Sequence, residues 1–179
     1  MIDHRLTVAL ALSVSAVIAG PLQAQTAAPD PAYITEANRL AAEDVTTILN
    51  VIARMNHAID VNDYALYASF YTADGVIDSG FGPPSVGAEA IVASLQMSAP
   101  FITNKRHVIG NPVVSGSGDE AKVTYYLIVF ERQAGLTLAG TAVITDTLRR
   151  EDGVWRVATH TTRMDPATLS AMQAAMSGS

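Results

Sequence analysis

Apolar residues recur at intervals of three and four over residues 36–61, which is the spacing of one face of an α-helix. Asp60 lies at the edge of this face, and Asn62 and Asp63 end the helix. Asp63 is suited to cap a second, short helix over residues 64–71. The face of the first helix comprises Val45, Ile48, Leu49, Ile52, Asn56 and Ile59.

The pattern after Lys105 changes to long runs rich in β-branched and aromatic residues, which is typical of antiparallel strands. A short strand over 75–78, a loop over 79–87 and a third helix over 88–97 lie before it, and a weak helix follows Asp165 and Pro166. Helices followed by a strand meander indicate an α+β fold with the helices on one face. Such a sheet can curve into a cone with a pocket at its open end. The four long strands are predicted at 106–114, 121–132, 137–150 and 154–164.

The N-terminus has the pattern of a secretory signal peptide. A short segment with one clear positive charge, Arg5, precedes an apolar stretch, and small residues at Ala24 and beyond offer cleavage sites. An uncleaved anchor is the alternative. We therefore expect a signal at 1–24, a loose leader at 25–35, one domain at 36–165 and a C-terminal tail at 166–179. The expected location is secreted or periplasmic, with no membrane contact once the signal is removed.

Composition excludes several classes of function. The 179 residues carry 11 basic and 17 acidic side chains, a net charge of -6, which argues against nucleic acid as a partner. The absence of cysteine excludes disulfides, thiolate metal ligands and a cysteine nucleophile. The four histidines are scattered, and there is no glycine-rich phosphate loop. We expect neither a metal nor a cofactor.

Three stretches resemble one known family. They are AIDVNDYALYASFYTADGVID from Ala58, RHVIGN from Arg106 and DTLRREDGVWRV from Asp146. Their order is similar to the SnoaL-like branch of the NTF2-like superfamily, over roughly residues 41–165. The resemblance implies a cone of curved antiparallel sheet wrapped around N-terminal helices, and a homodimer formed through the open sheet face. Because the superfamily includes dehydratases, isomerases, cyclases, hydrolases and non-enzymatic binders, it does not settle the function.

Within this branch, the chain looks most like the scytalone-dehydratase-like and bile-acid-dehydratase-like group. Members set an Asp at the end of the first helix against a His on the first long strand, and the resemblance places Asp60 and His107 there. An Asp–His pair can abstract a proton beside a carbonyl without a cofactor. The alternatives are a solvent-facing or capping Asp60 and a structural His107. The chain has Ile59, Ser79 and Thr141 where the scytalone-type enzymes have two tyrosines and a second histidine.

Strand alternation extends the candidate site. If Trp155 faces the core, counting by two places Arg163 at the pocket mouth, where it could hold an anionic group, and His160 on the opposite face. A β-bulge would exchange these assignments. Asp146 falls on an apolar face and therefore needs a partner, as a second catalytic acid or as a structural ion pair. Tyr125 and Tyr126 are neighbours on one strand, so one of the two must face inward. The candidate substrate-binding residues are Arg163, Tyr125, Thr141 and Asp146.

These observations lead to one hypothesis and one alternative. The hypothesis is a cofactor-independent lyase (dehydratase) or isomerase that acts on a small hydrophobic hydroxy or keto compound. Asp60 and His107 would share the proton transfer. The alternative is a non-catalytic small-molecule-binding or assembly module of the same fold.

Overall fold

The computed structural model describes residues 31–80, 82–133, 135 and 137–177, so the predicted signal and most of the predicted leader lie outside the described residues. The described chain forms an α+β domain, as predicted, with four α-helices and a curved, open sheet of six strands. The helices are α1 (Ala42–Asp60), α2 (Tyr64–Ser69), α3 (Ala88–Ile102) and α4 (Pro166–Ser177), and the strands are β1 (Tyr71–Asp78), β2 (Ser85–Val86), β3 (Lys105–Ser117), β4 (Glu120–Glu131), β5 (Leu138–Glu151) and β6 (Val154–Met164).

The strand order is β2-β1-β6-β5-β4-β3. All neighbours are antiparallel except β1 and β6, which run parallel. The four C-terminal strands follow one another in sequence as a meander, which is the predicted arrangement. Strand β1 is longer than predicted, and β2 lies within the segment for which we predicted only a loop.

Helix α1 supplies the centre of the core, and backbone hydrogen bonds define its C-terminal end. Ile48, Ile52 and Met55 are almost completely buried against the sheet. Asn62 has a φ of 60°, and its N–H bonds the Ile59 carbonyl, while the N–H of Asp63 bonds the Ala58 carbonyl. This is the Schellman arrangement, in which an αL residue closes the helix. It makes Asp60 the last helical residue, and the carboxylate is buried on the inner side.

The segment before α1 lies against the far end of the sheet. Residues Pro31–Ile34 form a 3-10 turn, and the N–H of Arg39 bonds the Gly116 carbonyl in β3. Glu36 accepts a hydrogen bond from Ser115 at 2.8 Å and pairs with Lys122 on the outer face. Because Lys122 and Ser115 both donate to Glu36, its pKa is lower than usual.

A β-bulge in β6 decides which side chains enter the cone. Leu148 faces Val157, whereas Thr147 faces Thr159, so Ala158 is an extra residue in β6. Trp155 and Val157 point inward, as predicted, and both are buried. Beyond the bulge the alternation is reversed, and His160, Thr162 and Met164 share the inner face. The predicted placement of Arg163 inside and His160 outside is therefore wrong.

Candidate functional site

The structure brings Asp60 and His107 into direct contact, although 47 positions separate them in the sequence. The Nδ1 atom of His107 lies 2.8 Å from Oδ1 of Asp60, and the backbone N–H of His107 donates to the same oxygen at 3.0 Å. The two side chains are 8% and 5% exposed. Two contacts to one oxygen fix both the position of the strand and the orientation of the imidazole ring.

The contact with Asp60 indicates which ring nitrogen of a neutral His107 carries the hydrogen when the carboxylate is ionised. Because a carboxylate only accepts hydrogen bonds, the Nδ1 atom that faces Asp60 must carry the hydrogen. The Nε2 atom then holds the lone pair of the neutral ring. No hydrogen bond to Nε2 occurs among the described residues, so this lone pair is the one that could accept a proton.

Two arginines complete the surroundings of Asp60. Arg106 places Nε 3.0 Å from Oδ2, and its side chain is half exposed. Arg132 donates from one guanidinium nitrogen to the Asp60 carbonyl at 3.2 Å. A carboxylate at the C-terminal end of a helix is unfavourable because the helix dipole is negative there, and cations offset this cost. Arg106 and Arg132 therefore form a cationic rim beside the pair, which we did not predict from the sequence.

Arg163 and Thr141 lie away from this pair. Arg163 is on the outer face and places a guanidinium nitrogen 3.4 Å from Oδ2 of Asp78 in β1. Thr141 is also on the outer face, where its hydroxyl bonds Asp165 and its N–H bonds the hydroxyl of Thr168 in α4. The bulge explains the position of Arg163, and simple alternation from the inward Ala142 explains that of Thr141.

Asp146 and Tyr125 face the interior, where the structure reveals a second Asp–His pair. His160 lies opposite Asp146 across the β5–β6 ladder, and its Nδ1 atom is 2.7 Å from Oδ1. The Asp146 side chain is fully buried, whereas the His160 side chain is 11% exposed. The hydroxyl of Thr162 lies 3.3 Å from Nε2 of His160. The second pair therefore resembles the first, because in both a buried carboxylate contacts Nδ1 of a slightly more exposed imidazole.

Three buried tyrosines surround Asp146. Burial is the main reason that the pKa values of Tyr67, Tyr71 and Tyr125 are raised, and the negative charge of Asp146 raises them further. The hydroxyls of Tyr67 and Tyr71 lie 3.0 Å apart. All three hydroxyls therefore stay neutral at physiological pH, when each can donate a hydrogen bond.

The residues that sequence reasoning missed are Arg106, Arg132 and His160. Arg106 adjoins His107 in the sequence, but alternation places it on the other face of β3. It reaches Asp60 because β3 is the edge strand, where a long side chain can bend around the edge. The only sequence signal that could have indicated an inward His160 is the requirement that a buried Asp146 have a partner.

One groove lies away from both Asp–His pairs. It has a volume of about 690 Å³ and lies on the outer side of the sheet, where Glu36, Lys122 and Thr159 border it. Among the residues that the structure describes, no group of three or more His, Asp or Glu side chains is placed to hold a metal ion. In the same part of the chain, none of the helices is both long and apolar enough to cross a membrane.

The model of the SnoaL-like domain matches residues 41–161. The chain belongs to this family. The match covers the meander as far as Thr161 in β6, including both Asp–His pairs. The expected SnoaL-like resemblance is thus confirmed. No curated protein matches the chain.

Solved structures show the same fold. A cystatin-like protein of unknown function from Nostoc punctiforme is 29% identical with a TM-score of 0.68, over 72% of this chain and 96% of that one. A protein from Catenulispora acidiphila, solved in complex with S-DNPA, is 26% identical with a TM-score of 0.65, over 73% and 99%. The protein Aln2 from a Streptomyces species is 24% identical with a TM-score of 0.66, over 74% and 98%. The NTF2-like, or cystatin-like, fold is therefore confirmed.

Proposed function

We propose that this protein is a cofactor-independent lyase (dehydratase) or isomerase that acts on a small hydrophobic hydroxy or keto compound. The observation that carries the proposal is the geometry of Asp60 and His107, in which one carboxylate oxygen holds both the ring and the backbone of the histidine. His107 removes a proton from carbon next to a carbonyl through Nε2. Asp60 orients the ring and stabilises the imidazolium that forms.

The inner face next to the pair suits an apolar ligand. Ile109, Leu127 and Met164 lie one row deeper than His107 on the curved sheet, and all three are only partly buried. The Catenulispora acidiphila structure, which was solved in complex with S-DNPA, supports a ligand in this fold. Arg106 and Arg132, rather than Arg163, are the arginines next to the pair. An anionic group on the substrate would therefore bind to them at the rim.

Deuterium exchange tests the proposed chemistry before the natural substrate is identified. Dehydration and isomerisation both begin with the loss of a proton beside a carbonyl, so the protein in deuterated water should catalyse exchange at that carbon in a panel of cyclic ketones and hydroxy ketones. We expect His107→Asn to lower the exchange rate by about 100-fold or more, because asparagine can keep the bond to Asp60 but lacks Nε2. His57→Gln on the exposed side of α1 is the control.

Equal exchange rates in the wild-type protein and His107→Asn, with saturable binding of the same ketones, would overturn the enzymatic proposal. That outcome would favour the second candidate, a non-catalytic small-molecule-binding or assembly module. The contact between Arg106 and Asp60 favours this candidate, because a carboxylate with a guanidinium on one oxygen and a histidine on the other also forms a stable structural clamp.

We also propose export and self-association, in line with the N-terminal pattern and the family resemblance. The outer face of β3 and β4 carries partly exposed apolar side chains at Val108 and Tyr126, which a second copy could cover. Sedimentation of the chain without its predicted signal tests the dimer, and substitution of Val108 with Lys should favour the monomer. A secretion assay with the full chain tests the signal.

A further inference from the structure

A second groove lies where β3 begins and β4 ends, and we call it the strand-end groove. It has a volume of about 580 Å³ and lies between the C-terminal end of α3 and the two strands. One side of the groove is mainly apolar and the other is charged. The helical side is formed by Ala99, Pro100 and Thr103, and the sheet side by Lys105, Glu131 and Gln133.

The strand-end groove lies on the same face of the sheet as His107. Lys105 is opposite Glu131 and His107 is opposite Val129, and the β3–β4 ladder is unbroken between Lys105 and Gly110. Because side chains two positions apart on a strand share a face, Lys105 points to the inner side with His107. The helix that forms the opposite side of the groove also covers the inner side. Two residues of strand span about 7 Å, so the groove adjoins the Asp60–His107 pair.

Glu131 holds the ammonium group of Lys105 at this groove. The two side chains form an ion pair through Oε2 of Glu131, and each is 19% exposed. Oε1 of Glu131 accepts the backbone N–H groups of Arg132 at 2.9 Å and Gln133 at 3.2 Å. Because Lys105 and these two N–H groups donate to it, the pKa of Glu131 is below its usual value. An ammonium has three N–H donors, and Glu131 is its one acceptor among the described residues, so the others remain for a ligand.

The charges at this end of the sheet favour an anion, although the chain has a net charge of -6. Lys105, Arg106 and Arg132 are three of the 11 basic residues, and Asp60 and Glu131 offset two of these charges. Arg106 and Arg132 each bond Asp60, whereas Lys105 faces the strand-end groove. Cations that border a cleft raise the local concentration of an anionic ligand. Lys105 is therefore the cation best placed to contact such a ligand beside His107.

We propose that the strand-end groove binds the carboxylate group of the substrate, and that the ammonium group of Lys105 makes the contact. This inference rests on the proposed function, because it assumes that the rest of the ligand lies beside His107. The spacing of the rows places the acidic group about one ring away from the carbon that loses its proton. The substrate class then narrows to cyclic hydroxy or keto acids, and Lys105 is the residue that selects the acid.

The test compares 4-oxocyclohexanecarboxylate with 4-oxocyclohexanecarboxamide, its neutral amide of nearly the same shape. Binding is followed through the ring signals of His107 in NMR spectra, which are assigned with the variant His107→Asn. We expect the acid to bind about tenfold more tightly than the amide at low salt, because a carboxylate forms a charge-assisted hydrogen bond with an ammonium group. Added salt should reduce this preference.

Two substitutions in the ion pair should change the affinity for the acid in opposite directions. Lys105→Gln removes the ammonium group and should weaken binding of the acid about tenfold, while the affinity for the amide stays nearly unchanged. Glu131→Gln removes the competing charge but keeps an oxygen for the two backbone N–H groups, so it should strengthen binding of the acid about threefold. Weaker binding in both variants would indicate a purely structural ion pair and would overturn the proposal. The matched control is Lys122→Gln, which breaks a similar pair with Glu36 on the outer face and should leave both affinities unchanged.

Three further results would also overturn it. They are equal affinities for the acid and the amide, equal effects of Lys105→Gln and Lys122→Gln, and the absence of saturable binding of the acid. Failure of the proposed function is read separately, from deuterium exchange in His107→Asn. The acid can bind through Lys105 without any exchange, and neutral ketones can exchange without any preference for the acid, so the two failures are distinguishable.

Discussion

Replacement of Asp60 with alanine is the sharpest test of the site architecture. The change removes the acceptor of two buried donors, the backbone N–H and the ring N–H of His107. Each buried donor that loses its partner costs about 1–3 kcal/mol. The contact with Arg106 adds little, because that side chain is 51% exposed and solvent screens it. We therefore expect Asp60→Ala to lower the free energy of unfolding by about 3–5 kcal/mol, as for other broken buried pairs.

Asp60→Asn separates hydrogen bonding from charge. The amide oxygen can still accept both bonds from His107, whereas the amide NH₂ faces Arg106, which also donates. The expected loss is about 1–2 kcal/mol, clearly smaller than for alanine. The matched control is Asp119→Ala, which removes an exposed carboxylate that pairs with Arg150 and should leave stability unchanged within error.

Urea unfolding measures these differences through Trp155, the single tryptophan, which is 3% exposed and donates its indole N–H to Asp44. With a slope of about 2 kcal/mol per molar urea, Asp60→Ala should lower the midpoint by about 2 M. A midpoint like that of the Asp119 control would refute the argument, because the carboxylate would not hold His107 in solution. Equal losses for alanine and asparagine would show that charge, rather than hydrogen-bond acceptance, dominates.

Two further predictions concern the core. Gly75→Ala should destabilise the protein by about 1–3 kcal/mol in the same urea assay, because the new Cβ would lie 2.8 Å from Cβ of Tyr71 and 2.9 Å from the Thr72 carbonyl oxygen; Gly110→Ala, whose nearest contact is 3.7 Å, is the control, and similar losses in both would contradict the packing argument. The pKa values of Tyr67, Tyr71 and Tyr125 are raised above 10.0 by burial, so the stability that their neutral hydroxyls provide is complete below about pH 10 and is lost as the pH rises further. Absorbance at alkaline pH should show these three hydroxyls ionising only together with loss of Trp155 burial, and their ionisation in the folded protein would contradict the prediction.

The parts of the fold that depend on local periodicity were predictable from the sequence. The buried stripe of α1 follows the i, i+3, i+4 pattern, and the bounds of the four long strands agree within a few residues because turn residues flank each strand. Strand β2 has only two residues, Ser85 and Val86, within a segment rich in Gly and Pro. A periodicity cannot be recognised in so short a strand.

The first pair depends on a long-range contact that no local pattern contains. The spacing of α1 places Asp60 at the end of its apolar face, but only the resemblance to a family set it against His107. Arg132 shows why the cationic residues around Asp60 were not predicted. Arg132 follows the end of β4, and it reaches the helix terminus because β3, the neighbour of β4 in the sheet, lies alongside α1.

The second pair shows that a buried polar side chain can predict the position of a β-bulge, which strand alternation alone cannot. Counting back from the β5–β6 turn, where Arg150 faces Trp155, an unbroken ladder would set Asp146 opposite Thr159. A hydroxyl is a poor partner for a fully buried carboxylate, whereas the imidazole one residue later can donate a charged hydrogen bond. The requirement for a partner therefore favours a one-residue bulge between the turn and Asp146, which is where Ala158 is inserted. The same bulge moves Arg163 to the outer face. The need to pair one buried carboxylate therefore determines which side chains of β6 face the interior.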